Sequence, residues 1–268
     1  MKPVLRYFGG KSKIAKDIIN LMPEHNVYCE AYGGGASVLL NKASSKNVDI
    51  YNDIDNNVFN LFKVLRDEEK TKILIDKLLL TPFSREEFKQ SYLSTDDEIE
   101  SARRLLIRSY QGFSADATTG GVTGFRVDCS SSAITTWQSV HQRLISASQR
   151  FRSVVIENKP AIDLIASLDE RDDVLFYLDP PYMTETRVTH GNKKGYSHEM
   201  LDEQHEELLN VILKSKNKVM ISGYENPLYK DKLKNWSLTT FDSEKLSHRA
   251  SKEFLWMNFE TKQQALIF

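Results

Sequence analysis

The fold can be traced to a single stretch, Asn26-Val27-Tyr28-Cys29-Glu30-Ala31-Tyr32-Gly33-Gly34-Gly35-Ala36-Ser37-Val38-Leu39-Leu40. Its first five residues are β-prone, its three glycines indicate a turn, and its last five residues have helical spacing. This order of strand, glycine turn and helix is similar to the first half of a nucleotide-binding βαβ unit, in which a ligand lies against the start of the helix. The glycine spacing matches that motif only in part, and a glycine triplet by itself is usually a loop.

The next predicted strand strengthens the nucleotide-binding interpretation. Val48 to Asn52 is β-prone and is followed by Asp53, about twenty residues after the glycines. An acid at this place can accept hydrogen bonds from ribose hydroxyls. Aspartate also caps helices often, and a helix is predicted from Asp55 onward. Both roles stay open for these neighbouring acids.

The N-terminal segment Tyr7-Phe8-Gly9-Gly10-Lys11-Ser12 predicts a loop that leads into a helix. A Gly-Gly-Lys-Ser string is similar to the end of a phosphate-binding loop, but that motif requires a glycine where Leu5 stands. The pattern therefore does not favour an NTPase. Gly9 and Gly10 allow the backbone to approach a ligand closely, and Tyr7 and Lys11 can reach an aromatic base and a carboxylate.

A second chemical motif, Asp179-Pro180-Pro181-Tyr182, directly follows the apolar run Val174 to Leu178. The Asp179 carboxylate and the Pro180 carbonyl offer two acceptors for the hydrogens of an amino group, Pro181 stiffens the turn, and Tyr182 offers a ring for stacking. These parts suit methylation of an exocyclic amino group. The alternative is a strand that ends in an ordinary proline turn with an incidental tyrosine.

The part of the chain between these motifs is dominated by helical patterns. We predict one domain formed by residues 1–56 and 161–268, which carries both motifs, and an inserted, mainly helical domain formed by residues 57–160. A stretch rich in Gly, Ser and Thr predicts a hairpin-like loop near residues 112–130. Arg108 and Arg126 lie in this region and are candidate DNA contacts, although scattered arginines on helices are usually solvated.

Two further basic segments are candidate DNA contacts. Arg187, Lys193 and Lys194 occupy a polar stretch after the tetrapeptide that could close over a bound base, although an ordinary surface connection is nearly as plausible. Arg249 lies in a basic turn between two strands predicted near residues 236–241 and 254–258.

Composition restricts the other possibilities. The chain has 268 residues, a formal net charge of −1 and a pI of about 6.6, so a DNA-binding surface would have to come from local clustering of Lys and Arg. Two cysteines and the absence of a signal or membrane-spanning segment predict a cytoplasmic protein without disulfides. The six histidines form no cluster with metal-ligand spacing, so no metal is expected.

Taken together, these motifs resemble the Dam-type, D12-class DNA adenine-N6 methyltransferases, and especially the phage-like members. The resemblance runs nearly end to end and rests on the segments that begin at Tyr7, Glu30, Asn52, Asp179 and Ser222, and on the terminal segment Glu253-Phe254-Leu255-Trp256-Met257-Asn258. It implies an α/β fold: a Rossmann-like S-adenosylmethionine-dependent methyltransferase sheet with an inserted, mainly helical target-recognition domain. Two departures are Ala31, where the family usually has proline, and Tyr7, where it has tryptophan or a similar aromatic residue.

The resemblance also implies roles for individual residues. Tyr7, Lys11, Asp53 and Asp179 would bind S-adenosylmethionine, and Glu30 with the turn of Gly33, Gly34 and Gly35 would shape its pocket. The expected reaction is methylation of N6 of an adenine flipped out of double-stranded DNA, without a metal, by a protein that can act as a monomer. Two alternatives are methylation of cytosine N4, for which the family more often has serine in place of Asp179, and a catalytically silent DNA-binding regulator that senses the cofactor.

Overall fold

The computed structural model of this protein describes residues 1–44, 47–119, 121–127, 131–183, 196–242 and 252–261. The strands are β1 (Val27–Glu30), β2 (Val48–Asn52), β3 (Val154–Glu157), β4 (Val174–Leu178), β5 (Lys218–Gly223), β6 (Ser237–Phe241) and β7 (Glu253–Met257). The α-helices are α1 (Ala15–Asn20), α2 (Asn56–Arg66), α3 (Glu68–Leu79), α4 (Arg85–Gln90), α5 (Glu98–Gln111), α6 (Ser131–Gln138), α7 (Val140–Phe151), α8 (Ala161–Ser167), α9 (Asp202–Ile212) and α10 (Pro227–Lys232).

The strands form a seven-stranded sheet in the order β3-β2-β1-β4-β5-β7-β6. The first five strands in this order run parallel, whereas β7 is antiparallel to both β5 and β6. From β1 the chain adds β2 and then β3 on one side of the sheet, and from β4 it adds β5 on the other side. A crevice forms where the order reverses in this way, and ligands of open α/β sheets bind there. The predicted Rossmann-like α/β fold is therefore confirmed.

Side chains alternate between the two faces of the sheet, as strand geometry requires. Tyr28, Tyr51 and Tyr177 lie on the face that packs against α2, α5 and α7. The Phe62 ring of α2 lies 4.8 Å from Tyr51 and stacks on Phe151 of α7 at 4.4 Å. On the opposite face, neighbouring strand residues such as Cys29, Ile50 and Phe176 pack against α8 and α9.

The helices between residues 57 and 151 thus share a hydrophobic core with the sheet. The edge strand β3 also falls within the range 57–160 and pairs with β2 from Val154 onward. This strand was not predicted from the sequence. Its apolar run is only three residues long, Val154-Val155-Ile156, and follows a long helix, so the pattern carries little strand signal. The division of the chain into a catalytic and a target-recognition domain stays a prediction.

The predicted hairpin-like region is held by a small number of backbone contacts. An isolated antiparallel bridge joins Gly112 to Phe125, and the N–H of Arg126 donates to the carbonyl of Gln111 at 2.7 Å. Phe113 projects from this loop and is 74% exposed. Residues 120 and 128–130 lie outside the described part of the chain. Among the described helices, none has the length and apolar character needed to cross a membrane.

One element predicted from the sequence is wrong. Ala36 to Leu40 does not form a helix but a series of turns that begins with Ala36 at φ 53°. A competing acceptor explains the difference, because the N–H of Leu39 donates to the Glu30 carboxylate at 2.8 Å and not to a helical carbonyl.

Glu30, the last residue of β1, therefore ties the turn segment to the sheet. Its Oε2 atom accepts hydrogen bonds from the Tyr28 hydroxyl at 2.9 Å and from the Leu39 N–H. The side chain is almost completely buried. Burial raises the pKa of Glu30 to about 8, although both hydrogen bonds oppose this shift.

The raised pKa predicts how stability depends on pH. Glu30 in the unfolded chain ionises near pH 4.5, whereas in the folded chain it ionises at about 8. Because the folded form keeps a proton that the unfolded form has released, Glu30 makes the protein less stable as pH rises through this window. Glu30→Gln does not ionise and can keep both hydrogen bonds. We expect its melting temperature, relative to the wild type, to rise by several degrees between about pH 5 and pH 8 and then to level off.

Thermal unfolding of the ligand-free protein at a series of pH values measures this difference. The exposed substitution Glu69→Gln serves as the control and should show little change over the same range. A difference between Glu30→Gln and the wild type that is independent of pH would contradict the assignment.

Candidate active site

A cavity lies at the crevice where the strand order reverses. Five segments contribute most of its lining: residues 7–11, 30–35, 52–55, 159–162 and 196–200. The first segment precedes α1, and the next three follow the carboxyl ends of β1, β2 and β3. All ten residues predicted to bind a cofactor line this cavity: Tyr7, Gly9, Gly10, Lys11, Glu30, Gly33, Gly34, Gly35, Asp53 and Asp179. The structure therefore brings together residues that are far apart in the sequence.

Two aromatic rings leave no space for side chains at Gly33 and Gly34 of the glycine turn. A Cβ atom on Gly33 would lie 2.1 Å from the Tyr51 ring, and a Cβ atom on Gly34 would lie 2.7 Å from the Tyr7 ring. Gly34 also adopts φ 47°, which side chains other than glycine rarely tolerate. Tyr7 and the turn thus form one packed wall of the cavity. Burial, and then the charge of Asp53, raise the pKa of Tyr7 well above its ordinary value, so its hydroxyl stays protonated.

Asp53 organises the backbone beside this wall. Its Oδ2 atom accepts from the N–H of Gly34 at 2.7 Å, and its Oδ1 atom accepts from the N–H of Asp55 at 2.8 Å. Asp55 in turn caps α2 by accepting from the N–H of Asn57. The structure thus assigns the helix cap to Asp55. Burial raises the pKa of Asp53 to about 7, against the effect of the two backbone hydrogen bonds.

Asn52 joins the carboxyl ends of three neighbouring strands. Its side-chain amide donates to the carbonyl of Ala31 at 2.8 Å and to that of Lys159 at 3.0 Å, and its amide oxygen accepts from the N–H of Lys159. These residues directly follow or lie close behind β1 and β3, while Asn52 itself ends β2. The loops that line the cavity are therefore fixed relative to one another.

The N-terminal loop is attached to the end of β4 by an ion pair. The ammonium group of Lys11 donates to Asp179 Oδ2 at 2.7 Å and to the carbonyl of Gly9 at 2.7 Å, and it lies 3.5 Å from Glu253 Oε1. Lys11 is only 3% exposed. Burial disfavours its charged form, but the charges of Asp179 and Glu253 outweigh burial and raise the pKa of Lys11.

Tyr182 contacts the second carboxylate oxygen of Asp179. Its hydroxyl lies 3.0 Å from Asp179 Oδ1 and also contacts Glu253 Oε1. The Tyr182 ring lies beneath the Lys11 ammonium group, 4.9 Å from it, and packs edge to face with Tyr224 at 4.7 Å. Burial, and then the charge of Asp179, raise the pKa of Tyr182 well above its ordinary value, so the hydroxyl remains a donor.

The tetrapeptide is therefore only partly open to the cavity. Asp179 and Pro181 line it, whereas Pro180 and Tyr182 are buried behind it. The Asp179 side chain is 19% exposed, which leaves its carboxylate accessible at the edge of the cavity. A carboxylate in this position can accept a hydrogen bond from a ligand in addition to those it accepts from the protein.

Sequence reasoning missed two walls of the cavity and one buried acid. Lys159 to Ile162 follow β3, which was not predicted, and Tyr196 belongs to a segment with no regular pattern. The Tyr196 ring packs edge to face on Phe8 at 5.2 Å. The acid is Glu253, which was noted only as part of a terminal motif. An acid at the start of a strand that is otherwise apolar, Glu253 to Met257, was the available signal.

Of the six predicted DNA contacts, the structure describes Arg108 and Arg126, whereas Arg187, Lys193, Lys194 and Arg249 lie outside the described residues. Arg108 is half-buried, donates to the carbonyl of Ser91 and lies 5.7 Å from the Tyr92 ring. Arg126 is also half-buried and lies close to Arg6, since burial and then the charge of Arg126 lower the pKa of Arg6. Arg6 and Arg126 therefore form a basic pair at the loop of residues 112–127, where Arg6 also donates to the carbonyl of Gly112.

The chemistry available at this site is polar recognition beside an aromatic wall. Within the described ranges, no group of three or more His, Cys, Asp or Glu side chains could hold a metal ion. The cavity instead offers the carboxylates of Glu30, Asp53 and Asp179, the glycine turn and the Tyr7 ring. Such a combination fits a nucleoside with hydroxyl groups and a ring that can be stacked.

Comparison with known proteins agrees with this geometry. The family model of the D12 class N6 adenine-specific DNA methyltransferases matches residues 7–252, which is nearly the whole chain and includes every residue of the cavity described above. No individual curated protein matches the chain. The match confirms the resemblance that the motifs suggested. This chain belongs to the D12 class of N6 adenine-specific DNA methyltransferases.

Proposed function

We propose that this protein flips a target adenine out of duplex DNA and transfers a methyl group from S-adenosylmethionine to its N6 atom at a specific site. The observation that carries the proposal is the position of Asp179. Its carboxylate lies at the edge of a cavity lined by all ten predicted cofactor-binding residues, at the crevice of the sheet. Membership of an adenine-specific class favours adenine over cytosine N4 as the target.

The cavity residues divide into two functional groups. Asp53 would accept the ribose hydroxyls, while Tyr7 and the glycine turn would lie against the nucleoside. S-Adenosylmethionine supplies a methyl group carried on a positively charged sulfur atom. The carboxyl groups of Asp53 and Asp179 line the cavity and can interact favourably with a cationic ligand, whereas Glu30, with its pKa raised to about 8, is largely protonated at neutral pH.

Asp179 and the Pro180 carbonyl would orient the nucleophile. The N6 amino group is a weak nucleophile because its lone pair is delocalised into the purine ring. Hydrogen bonds from its two N–H groups to these acceptors direct the lone pair toward the methyl group. In this transfer N6 would form a bond to the methyl carbon, the carbon–sulfur bond would break with its electron pair left on sulfur, and the methylated amino group would release one proton to solvent. No covalent enzyme intermediate is required.

The incoming base must also reorganise the polar contacts of the tetrapeptide. The Tyr182 hydroxyl is placed to donate to Asp179 Oδ1. An adenine amino group that donates to this oxygen can take the place of the hydroxyl, which keeps its contact with Glu253, and the Tyr182 ring would stack on the base. Flipping itself costs a few kcal/mol of lost stacking and pairing, which these new contacts offset.

Asp179→Ala tests the central role. Because the carboxylate would orient N6 in the transition state, we expect the substitution to lower methyl transfer by about a hundredfold or more. The fold should persist, since Lys11 keeps the Gly9 carbonyl and Glu253 as neighbours. Transfer of labelled methyl groups to DNA measures activity, and circular dichroism measures folding. Wild-type transfer rates in a folded Asp179→Ala protein would disprove the assignment.

Nucleoside analysis of the same wild-type reaction distinguishes the proposal from its alternatives. N6-methyladenine is the expected product. N4-methylcytosine would identify a cytosine enzyme, and cofactor binding without any methylated product would identify a silent regulator.

Asp53→Ala tests the cofactor pocket. The substitution removes the predicted ribose acceptor together with the contacts to the Gly34 and Asp55 N–H groups. We expect the dissociation constant for S-adenosylmethionine, measured by titration calorimetry, to rise at least about tenfold. Asp67→Ala, which removes an exposed helix cap on α3, is the matched control and should leave this constant unchanged. Equal affinities for Asp53→Ala and wild type would refute the role.

Arg126→Ala tests target recognition by the loop at residues 112–127. A base contact made by Arg126 would be worth about 1–3 kcal/mol at one position of the target, so its loss should relax the preference at that position. Methylation of randomised duplexes, followed by sequencing of the modified sites, measures this preference. Arg66→Ala, on the exposed surface of α2, is the control. An unchanged preference, or an equal loss on every sequence, would count against base recognition by Arg126.

A further inference from the structure

Glu253 is a buried acid that contacts the catalytic tetrapeptide but has no role in the reaction described so far. It is the first residue of β7 and only 2% exposed. The family match ends at residue 252, directly before Glu253, and the resemblance places Glu253 in a terminal motif without assigning it a role. A carboxylate buried to this extent is costly unless its partners compensate.

The partners of Glu253 are two residues of the active site. Its Oε1 atom contacts the hydroxyl of Tyr182 and lies 3.5 Å from the ammonium group of Lys11. Burial, and then the charge of Asp179, raise the pKa of Glu253, while Lys11 opposes the shift. Glu253 therefore links β7 to the tetrapeptide and to the N-terminal loop at the same point.

The contact with Tyr182 has a mechanical consequence. The hydroxyl oxygen is the atom of a tyrosine side chain that lies furthest from the backbone, and it lies on the axis of the second side-chain torsion. A hydrogen bond there therefore resists rotation about the first torsion and fixes where the ring lies. Asp179 offers a second acceptor to the same hydroxyl, but a base that binds Asp179 removes this acceptor. Glu253 lies on β7 and can retain the hydroxyl when Asp179 turns to the substrate.

We propose that Glu253 is a positioning residue for methyl transfer, which holds the Tyr182 hydroxyl so that the tyrosine ring keeps a fixed position while Asp179 binds the target amino group. This inference rests on the proposed function, because it assumes that Tyr182 stacks on the flipped base. Glu253 acts through Tyr182 and does not itself contact the substrate. A ring misplaced by about 1 Å can cost on the order of a hundredfold in rate, which sets the size of the expected effect.

Two substitutions separate the hydrogen bond from the charge. Glu253→Gln keeps an oxygen that can accept from Tyr182 but carries no charge, and Glu253→Leu has neither. We expect kcat for DNA methylation to stay within about threefold of wild type in Glu253→Gln and to fall about tenfold to a hundredfold in Glu253→Leu. KM for S-adenosylmethionine should change less than about twofold in both, since the cofactor cavity is not lined by Glu253. Glu260→Leu, exposed seven residues later, is the control.

A double-mutant cycle with Tyr182→Phe tests whether the effect passes through Tyr182. If it does, Glu253→Leu lowers kcat in the wild type but not further in the Tyr182→Phe background. The same cycle measured as shifts in melting temperature should be non-additive, and this readout does not require activity. Should Glu253→Leu fail to fold, Glu253→Ala replaces it, because the smaller side chain leaves space for water.

The outcomes are distinct. Absence of methylated adenine with the wild type would overturn the proposed function. With an active wild type, three results would overturn the role of Glu253: wild-type kcat in Glu253→Leu, an equal loss in Glu253→Gln and Glu253→Leu, or multiplicative losses in the double mutant. Rescue by glutamine together with non-additive losses supports it.

Discussion

The ion pair between Lys11 and Asp179 is the interaction on which the active site depends. It joins two segments that are 168 residues apart, and it buries a lysine whose charge has to be matched inside the protein. Loss of Asp179 would leave the Lys11 ammonium group with the Gly9 carbonyl and Glu253 as its remaining partners, which compensate its charge in part. The ion pair holds the N-terminal loop across the end of β4. The cavity has a defined shape because this loop forms one of its walls.

Around this pair, the site is assembled from strand ends and not from a continuous motif. Asn52 links the loops after β1 and β3, Asp53 fixes the glycine turn, and Glu30 fixes the turns that follow it. Each of these polar side chains is buried and satisfied largely by backbone groups. Hydrogen bonds to backbone define position more strictly than apolar contacts do, because their geometry is directional. These directional contacts fix the polar groups that the proposed methyl transfer would use.

The sequence predicted the Rossmann-like sheet, and the ten residues predicted to bind a cofactor all line the cavity, because most of them lie at the end of a strand with a strong apolar pattern or in a glycine-containing loop. Their binding role stays a prediction. Sequence-based prediction failed where a tertiary contact overrides local preference. Ala36 to Leu40 has helical spacing, but the Glu30 carboxylate captures the Leu39 N–H. The edge strand β3 was missed because its pattern is short and half exposed. Glu253 could not be placed in the site, because only the antiparallel pairing of β7 with β5 brings it beside Tyr182.

The hydroxyl of Tyr182 lies between Asp179 and Glu253, so both oxygens of the Asp179 carboxylate have a partner within the protein. A carboxylate only accepts hydrogen bonds, so any group that takes the place of the hydroxyl at Asp179 Oδ1 has to be a donor. A nucleobase with a carbonyl oxygen at that point would set two acceptors against each other, and no hydrogen bond would offset their desolvation. Under the proposed function, this chemistry favours bases with an amino group there over bases with a carbonyl oxygen.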